Sequence, residues 1–454
     1  MIPDVQTLVK VICPDMPEDK VVKAARDQTM WYKVHSGCLI IPPVKMLETN
    51  LMLMDKTVEA VLSFKQYKAD APRYQWDNLK LHNIHTVEDI KLLHKHILNS
   101  GGIVAVDIET RRVEWEDNKV LSIGFCCNND EAWALWNIDW FDENVREALQ
   151  QLFSDPVIIF IWHNGKFDTG RLKYLININA RVDEDTMLQH YVQINEKKGT
   201  HGLKTLGPLY LHAPDWDEEL NQYKATWCRQ HKIKVSDFMY DYIPLEILIP
   251  YMQRDCIATF RLHFLFKNLA REGSEYIYRV LIKASNVYRE VELNGCYIDV
   301  NYLEDLEFEL ENALYDAQKH LQEISSKIWN PLEYAQNTGA KASLKDEFNP
   351  KSPKQLKWML QQVTGYSVDS TDAATIDKLM EFVDNGTIVA PMAKEFLESM
   401  LTVRKFGKYM DTYVQGMREG LCRDMRIRGT FNLHGTETGR LSSSNPNMQT
   451  IPRD

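Results

Sequence analysis

Three groups of acidic residues carry the chemistry this sequence can do. Asp107 and Glu109 lie two apart in Ile103-Val-Ala-Val-Asp-Ile-Glu. A short β-branched run of this kind reads as a buried strand. Its period of two puts both carboxylates on one face. Carboxylates on a buried strand repel each other and lose hydration, unless a cation joins them or a proton neutralises one. The plainer reading of the pair alone is a solvated strand end. The second group is His163-Asn-Gly-Lys-Phe-Asp168, at the end of the apolar strand Val157-Ile-Ile-Phe-Ile-Trp. That is where α/β folds place their chemistry. Asp168 opens a helix, so it either caps that helix or serves a site. The third group is Tyr251-Met-Gln-Arg-Asp255. Spacing i,i+4 puts the phenol and the carboxylate on one helix face, as a functional pair or as a surface pair.

The elements around these groups alternate. His85-Thr-Val-Glu-Asp reads as a capping box, with Thr86 as N-cap and Asp89 in place of the usual Glu. Ile90, Leu92, Leu93 and Ile97 follow at helical spacing, and Gly101-Gly102 ends the helix. Residues 103–109, 120–127, 132–138 and 157–162 read as strands, 144–153 and 248–269 as helices. This is an α/β domain to about residue 270. Beyond it, Leu303, Leu306, Leu310, Leu314, Ala317, Leu321, Ile324 and Ile328 keep three-four spacing. They predict one amphipathic helix over 301–328, on the order of 40 Å long. A second long pattern runs through Phe396, Met400, Val403, Phe406, Met410, Tyr413 and Met417 to Gly420. Ser352-Pro353 opens a shorter helix that Gly365 closes. Two long helices with a compact tip form a stalk, and the tip carries Lys341, Lys345, Lys351, Lys354 and Lys357.

The ordered trio of a strand D-x-E, a strand-end N-x-K-F-D and a helical Y-x-x-x-D resembles the DEDDy family of 3′→5′ exonucleases. The likeness is greatest to the proofreading domain of family A DNA polymerases. Glu184-Asp-Thr-Met-Leu-Gln-His-Tyr and His201-Gly-Leu-Lys-Thr-Leu resemble that family too. The resemblance implies Asp107, Glu109, Asp168, Tyr251 and Asp255 as catalytic residues, the four acids as metal ligands, and Tyr251 as the group that orients the attacking water. All four acids offer oxygen only, which suits two divalent cations, Mg²⁺ or Mn²⁺. Two such ions clamp the attacking and leaving oxygens of a phosphodiester. Asn164 and Lys166 are expected to support the scissile phosphate or the carboxylates.

Gly295-Cys-Tyr-Ile-Asp, Phe348-Asn-Pro-Lys-Ser-Pro-Lys-Gln-Leu and Ser370-Thr-Asp resemble the start and tip of the family A thumb. Thr438-Gly-Arg-Leu-Ser-Ser-Ser-Asn-Pro-Asn-Met-Gln-Thr-Ile-Pro resembles the entry to the palm, with Thr450 where the family has Asn. By that resemblance Lys354, Arg440 and Asn447 contact DNA. From Leu401 onward there are nine Lys or Arg against five Asp or Glu, so a chain of net charge −11 turns basic there.

The expected fold is therefore a ribonuclease H-like α/β exonuclease domain over 81–270, with a mixed sheet flanked by helices. A mostly α-helical thumb follows over 271–430, then the beginning of an α+β palm over 431–454. Residues 1–80 are an extension without recognisable chemistry. In the family the carboxylates that bind nucleotide metals, and the fingers, lie beyond the region corresponding to Asp454. Polymerisation is thus expected to need a further segment or a partner chain. The layout, with no 5′-nuclease-like segment ahead of the exonuclease, resembles phage replicases. The expected partners are a single-stranded DNA 3′ end and a primer–template duplex. A non-catalytic DNA-gripping subunit and an RNA-trimming nuclease are the rival readings.

Composition bounds the rest. At 454 residues, 44% apolar and 26% charged, the chain has the make-up of a globular protein of about three domains. No apolar run approaches the roughly 20 residues of a membrane-spanning helix. The eight cysteines contain no C-x-x-C pair, which fits reduced thiols and a cytoplasmic setting. His82, His85, His94 and His96 read as surface positions. Trp133, Trp136 and Trp140 read as core.

Overall fold

The computed structural model describes residues 74–339 and 346–451, with short pieces between 34 and 61. Most of the 1–80 extension, together with Lys341 and Lys345, lies outside the described residues. Among the described residues, those up to Gly295 together with Gly429–Ser444 form one compact unit. Cys296–Arg428 and the residues from Asn445 form another.

The first unit is built on a six-stranded mixed sheet. Its strands are β1 (Lys80–Ile84), β2 (Ile103–Thr110), β3 (Val120–Cys126), β4 (Glu131–Trp136), β5 (Ile159–Trp162) and β6 (Glu184–Asp185), in the order β1-β4-β3-β2-β5-β6. β3 is antiparallel to both β2 and β4, and the other pairs are parallel. Alternation along β2 divides the domain in two. Val104, Val106 and Ile108 enter one core with Ile123, Phe125, Trp133 and Leu135. That core is closed by α1 (Val87–Asn99), α2 (Glu143–Ser154) and α3 (Gly165–Ile176). The capping box of α1 forms as the sequence predicts: Thr86 Oγ1 accepts from the Asp89 amide at 3.1 Å, and Asp89 Oδ2 accepts from the Thr86 amide at 3.0 Å.

The opposite face of the sheet carries Ala105, Asp107, Glu109, Ser122, Gly124, Cys126, Ala132 and Ala134. After α4 (Thr186–Gln189), α5 (Leu203–Leu211) and α6 (Glu218–His231), the small residues of this face let one long helix, α7 (Leu245–Leu269), lie close against the strands. The tightest approach is at Gly124, the register partner of Asp107. A Cβ there would sit 2.6 Å from Cys256 Sγ and 3.1 Å from Met252 Cε. Cys256 adjoins Asp255, so this contact fixes how near the helix brings its acid to the strand.

The α/β unit extends past residue 270. Helix α8 (Glu275–Asn294) buries Tyr278 and Ile282 in the core with Val104 and Leu172, so the boundary falls at Gly295. A small hairpin, Thr430–Asn432 with Ser442–Ser444, also belongs to this unit. The four histidines of the first helix region each have their own neighbour. His82 meets Glu131 at 2.8 Å, His94 meets Asp155 at 2.8 Å, His85 Nδ1 lies 2.9 Å from the Trp136 carbonyl, and the His96 ring packs on Trp133. Trp133 is core, while Trp136 and Trp140 are partly buried. Cys126, Cys127, Cys228 and Cys256 are buried thiols.

The second unit is helical. Its long helix is Val300–Ser325, opened by Asp299, whose carboxylate accepts from the Tyr302 amide. It packs against Ala393–Lys408, which continues through a π-helical turn, Tyr409–Val414, into Gln415–Gly420. Helices Pro331–Thr338, Pro353–Thr364 and Ala373–Asp384 make the compact end, around Leu321, Trp329, Phe348, Trp358 and Phe396. The other end is held by an antiparallel ladder, Cys296–Tyr297 with Arg426–Ile427. Among the described residues, no helix is long and apolar enough to cross a membrane.

Gly124→Ala is expected to destabilise the chain by about 1–3 kcal/mol, because the new methyl meets Cys256 and Met252 in a packed core. Adding Cys256→Ala should recover part of that loss. Urea unfolding of the two single variants and the pair measures both terms, and additive losses would show that the contact is not the cause.

Candidate active site

The carboxylates come together where β2 outlives its neighbour. β5 pairs with β2 only over residues 103–105, then ends at Trp162. The chain leaves through a tight corner. Asn164 adopts a left-handed conformation (φ 66°), and a Cβ on Gly165 would lie 2.3 Å from that of Trp162. Asp185 secures this corner by accepting from the Asn164 and Gly165 amides at 3.1 and 2.8 Å. α3 therefore starts beside the free edge of β2, and Asp168 Oδ1 accepts from the Ile108 amide at 3.3 Å. Asp168 thus takes the place of a strand partner, and the N-cap position of α3 belongs to Asn164.

From the sheet face, Asp107 and Glu109 point toward α7, which presents Asp255. Oxygens of Asp107, Glu109 and Asp255 all lie within 4.8 Å of one another, Glu109 and Asp255 buried and Asp107 half-buried. Burial raises the Asp107 carboxyl well above the usual range, and the charges of Asp168, Asp255 and Glu109 raise it further. Burial and then Asp255 do the same to Glu109. Burial pushes Asp168 up to about 8. The cluster demands positive charge, and its donors are hard oxygens, a set that fits a divalent cation.

Tyr251 lies one helical turn before Asp255. Burial, then the charges of Asp255 and Glu109, hold its phenol protonated well above the ordinary range. Tyr240 is affected in the same sense by burial, Glu109 and Asp255. Two side chains that the sequence did not single out complete the surroundings. Lys204, in the first turn of Leu203–Leu211, forms an ion pair with Asp255. Trp216 donates its Nε1 proton to Asp255 Oδ1 at 2.6 Å. Lys204 does stand in the stretch His201-Gly-Leu-Lys-Thr-Leu, but nothing in its spacing announces a partner.

The other expected positions fall elsewhere. Asn164 is half-buried at the corner described above. Lys166 is buried and its ammonium pairs with Glu292 of α8 rather than with the clustered carboxylates. Positions two apart on a helix do not share a face, so Lys166 and Asp168 diverge. Arg440 and Lys354 are exposed, each in its own unit. Asn447 is exposed in the second unit, its Oδ1 accepting from the Gln449 amide at 3.1 Å.

Residues 81–273 match the model of a 3′-5′ exonuclease, and residues 318–454 match that of DNA polymerase family A. The DNA polymerase of Escherichia phage T5 is 33% identical over 387 residues, covering 81% of this chain and 42% of the relative. DNA polymerase I of Pseudomonas aeruginosa is 26% identical over 375 residues, covering 78% of this chain and 37% of the relative. The chain thus spans about two fifths of the length of these curated relatives. Among solved structures, the POL domain of Pol1 from M. smegmatis, in complex with DNA primer-template and dNTP, shares the fold. The TM-score is 0.57 at 20% identity, over 83% of this chain and 56% of that one. With both models matched in the family's order, and the carboxylates of the first gathered at one strand edge, the chain belongs to the family A DNA polymerases that carry a 3′-5′ exonuclease domain.

Proposed function

We propose that the first unit hydrolyses the 3′-terminal phosphodiester of single-stranded DNA, as the proofreading activity of a family A DNA polymerase in DNA replication. The observation that carries this reading is the convergence of Asp107, Glu109 and Asp255 oxygens within 4.8 Å, beside Asp168 and Tyr251. Asp107, Glu109, Asp168 and Asp255 would hold two divalent cations, Mg²⁺ or Mn²⁺. When bound, such ions activate a water and stabilise the departing 3′ oxygen. Tyr251 stays protonated at working pH, so it is suited to orient a water by hydrogen bonding and unsuited to deprotonate one. Asn164, at the corner that ends β5, is the proposed support for the scissile phosphate or the carboxylates. In the second unit Lys354 and Asn447, and in the first Arg440, are the proposed duplex contacts. Nucleotide addition would come from palm and fingers segments in the same protein or a partner chain.

Replacing Asp107 and Glu109 together by Ala should lower digestion of a single-stranded DNA 3′ end by roughly 10³. Circular dichroism should remain that of the parent. Retained digestion would move the site elsewhere. Matched DNA and RNA ends, each with Mg²⁺ or EDTA, separate proofreading from RNA trimming and from mere gripping.

Arg440→Ala should weaken duplex binding and reduce the slope of log affinity against log salt by about 1. An unchanged slope would remove this arginine from the phosphate contacts.

Stability in EDTA should fall as pH rises from 6.5 to 8.5. Asp168, with a carboxyl raised to about 8, keeps in the folded state a proton that the unfolded chain has already released, so raising pH favours unfolding. The buried histidines act in the opposite sense below 6.5, where burial holds His163 near 3 and His201 near 4. Melting temperatures should therefore decline above pH 6.5, decline less in Asp168→Asn, and decline least for the parent chain in Mn²⁺.

A further inference from the structure

Lys204 is the feature of the site that the reading above leaves unused. Its helix begins at Gly202, which puts Lys204 in the first turn with its stem directed at the carboxylates. The ammonium pairs with Asp255 and lies 4.1 Å from the centroid of the Tyr251 ring and 4.5 Å from that of Trp216. Both ring faces attract a cation. Trp216 donates to the same Asp255 oxygen that Lys204 contacts, so one carboxylate oxygen carries two donors. Trp216 is itself locked in place. It stacks on Trp76 at 5.6 Å, and a Cβ on Gly207 would come within 2.4 Å of its ring.

The Lys204 side chain is 26% exposed where that of Asp255 is 7% exposed. A lysine is a point charge on a flexible four-carbon stem. Its ammonium end sits at Asp255, against the faces of Tyr251 and the buried Trp216. The arrangement holds a cation that can withdraw, unlike Lys166, which is buried against Glu292.

We propose that Lys204 is a positioning residue that acts as the internal counter-ion of the carboxylate cluster. Without metal its ammonium holds Asp255 beside Asp107 and Glu109. A divalent cation must displace that ammonium to use the Asp255 oxygen. Lys204 therefore competes with the metal and sets the concentration at which the site fills. The inference rests on the reading of the cluster as a divalent-cation site.

Direct Mn²⁺ binding to the 454-residue chain, followed by the electron paramagnetic resonance of free Mn²⁺, tests it. Removing one positive charge a few ångströms from the ion should tighten Mn²⁺ binding in Lys204→Met by about tenfold. Lys204→Arg, which keeps the charge, should bind Mn²⁺ no more tightly than the parent. Melting in EDTA should drop in Lys204→Met, and Mn²⁺ should raise it by more than it raises the parent. A role confined to packing would lower the melting temperature of Lys204→Met and leave its Mn²⁺ affinity unchanged. That outcome, or weaker binding, overturns the proposal. Should Lys204→Met fold only with Mn²⁺, the counter-ion role stands, and should it fail to fold even then, the role is refuted. A parent chain that binds no Mn²⁺, or binds it equally well after Asp107→Ala and Glu109→Ala, would instead refute the metal site itself.

Discussion

The first unit is organised around one unfavourable act: crowding carboxylates at a sheet edge where water is scarce. Asp107, Glu109 and Asp255 repel one another at the separations found here, and burial withdraws the hydration that would blunt the repulsion. Nothing in the cluster stabilises the fold by itself. The surrounding packing has to impose it. That task falls to the strip of Ala105, Gly124, Ala132 and Ala134, along which α7 closes on the sheet. The apolar core on the other face, with Phe125, Phe153, Phe160 and Trp162, anchors the strands against that strain.

The same constraint explains the irregular parts. A sheet in which β5 ran as far as β2 would cover the edge that Asp168 now occupies. The strand stops instead at Trp162, where Asn164 takes a left-handed conformation that most residues adopt poorly and Gly165 leaves the room a Cβ would fill against Trp162. Asp185 accepts the amides left free at that corner. A buried carboxylate outside the cluster is thus used to place one inside it.

Much of this was legible from residue order. The alternation 104-106-108 against 105-107-109 divides hydrophobic from chemical faces in the sequence itself, and the i,i+4 pair on α7 follows from helical geometry. What stayed hidden depends on partners far away in the chain. Lys166 sits in the motif that carries Asp168, yet its charge is spent on Glu292, 126 residues on. Lys204 and Trp216 reach Asp255 from a helix and a loop whose packing no local pattern encodes. The expected limit of about 270 for the exonuclease domain agrees with the matched stretch 81–273, while the compact unit runs on through α8 to Gly295. That helix is tied to the sheet by Tyr278, whose hydroxyl donates to Glu184 at 2.6 Å, by Arg279, which donates to the same carboxylate at 2.8 Å, and by Ile282 in the core.

The second unit meets the opposite constraint. Along Val300–Ser325 full burial is confined to Leu303 near one end and to Leu321, Ile324 and Ser325 near the other, while the facing helix Ala393–Lys408 buries Ala393, Phe396, Leu397, Ser399, Met400 and Val403. The larger core gathers Trp329, Phe348, Trp358 and Phe396, and a smaller one of Leu303, Met410 and Val414 lies toward the Cys296–Tyr297 ladder. The long helix thus contributes one side to these cores and leaves the other as a solvated flank. That flank exposes Glu304, Asp305, Glu309, Glu311 and Asp316, acids that stay hydrated and cost little to hold. A chain of net charge −11 thus keeps most of its acids in water and buries Glu109, Asp168 and Asp255 where a cation is wanted.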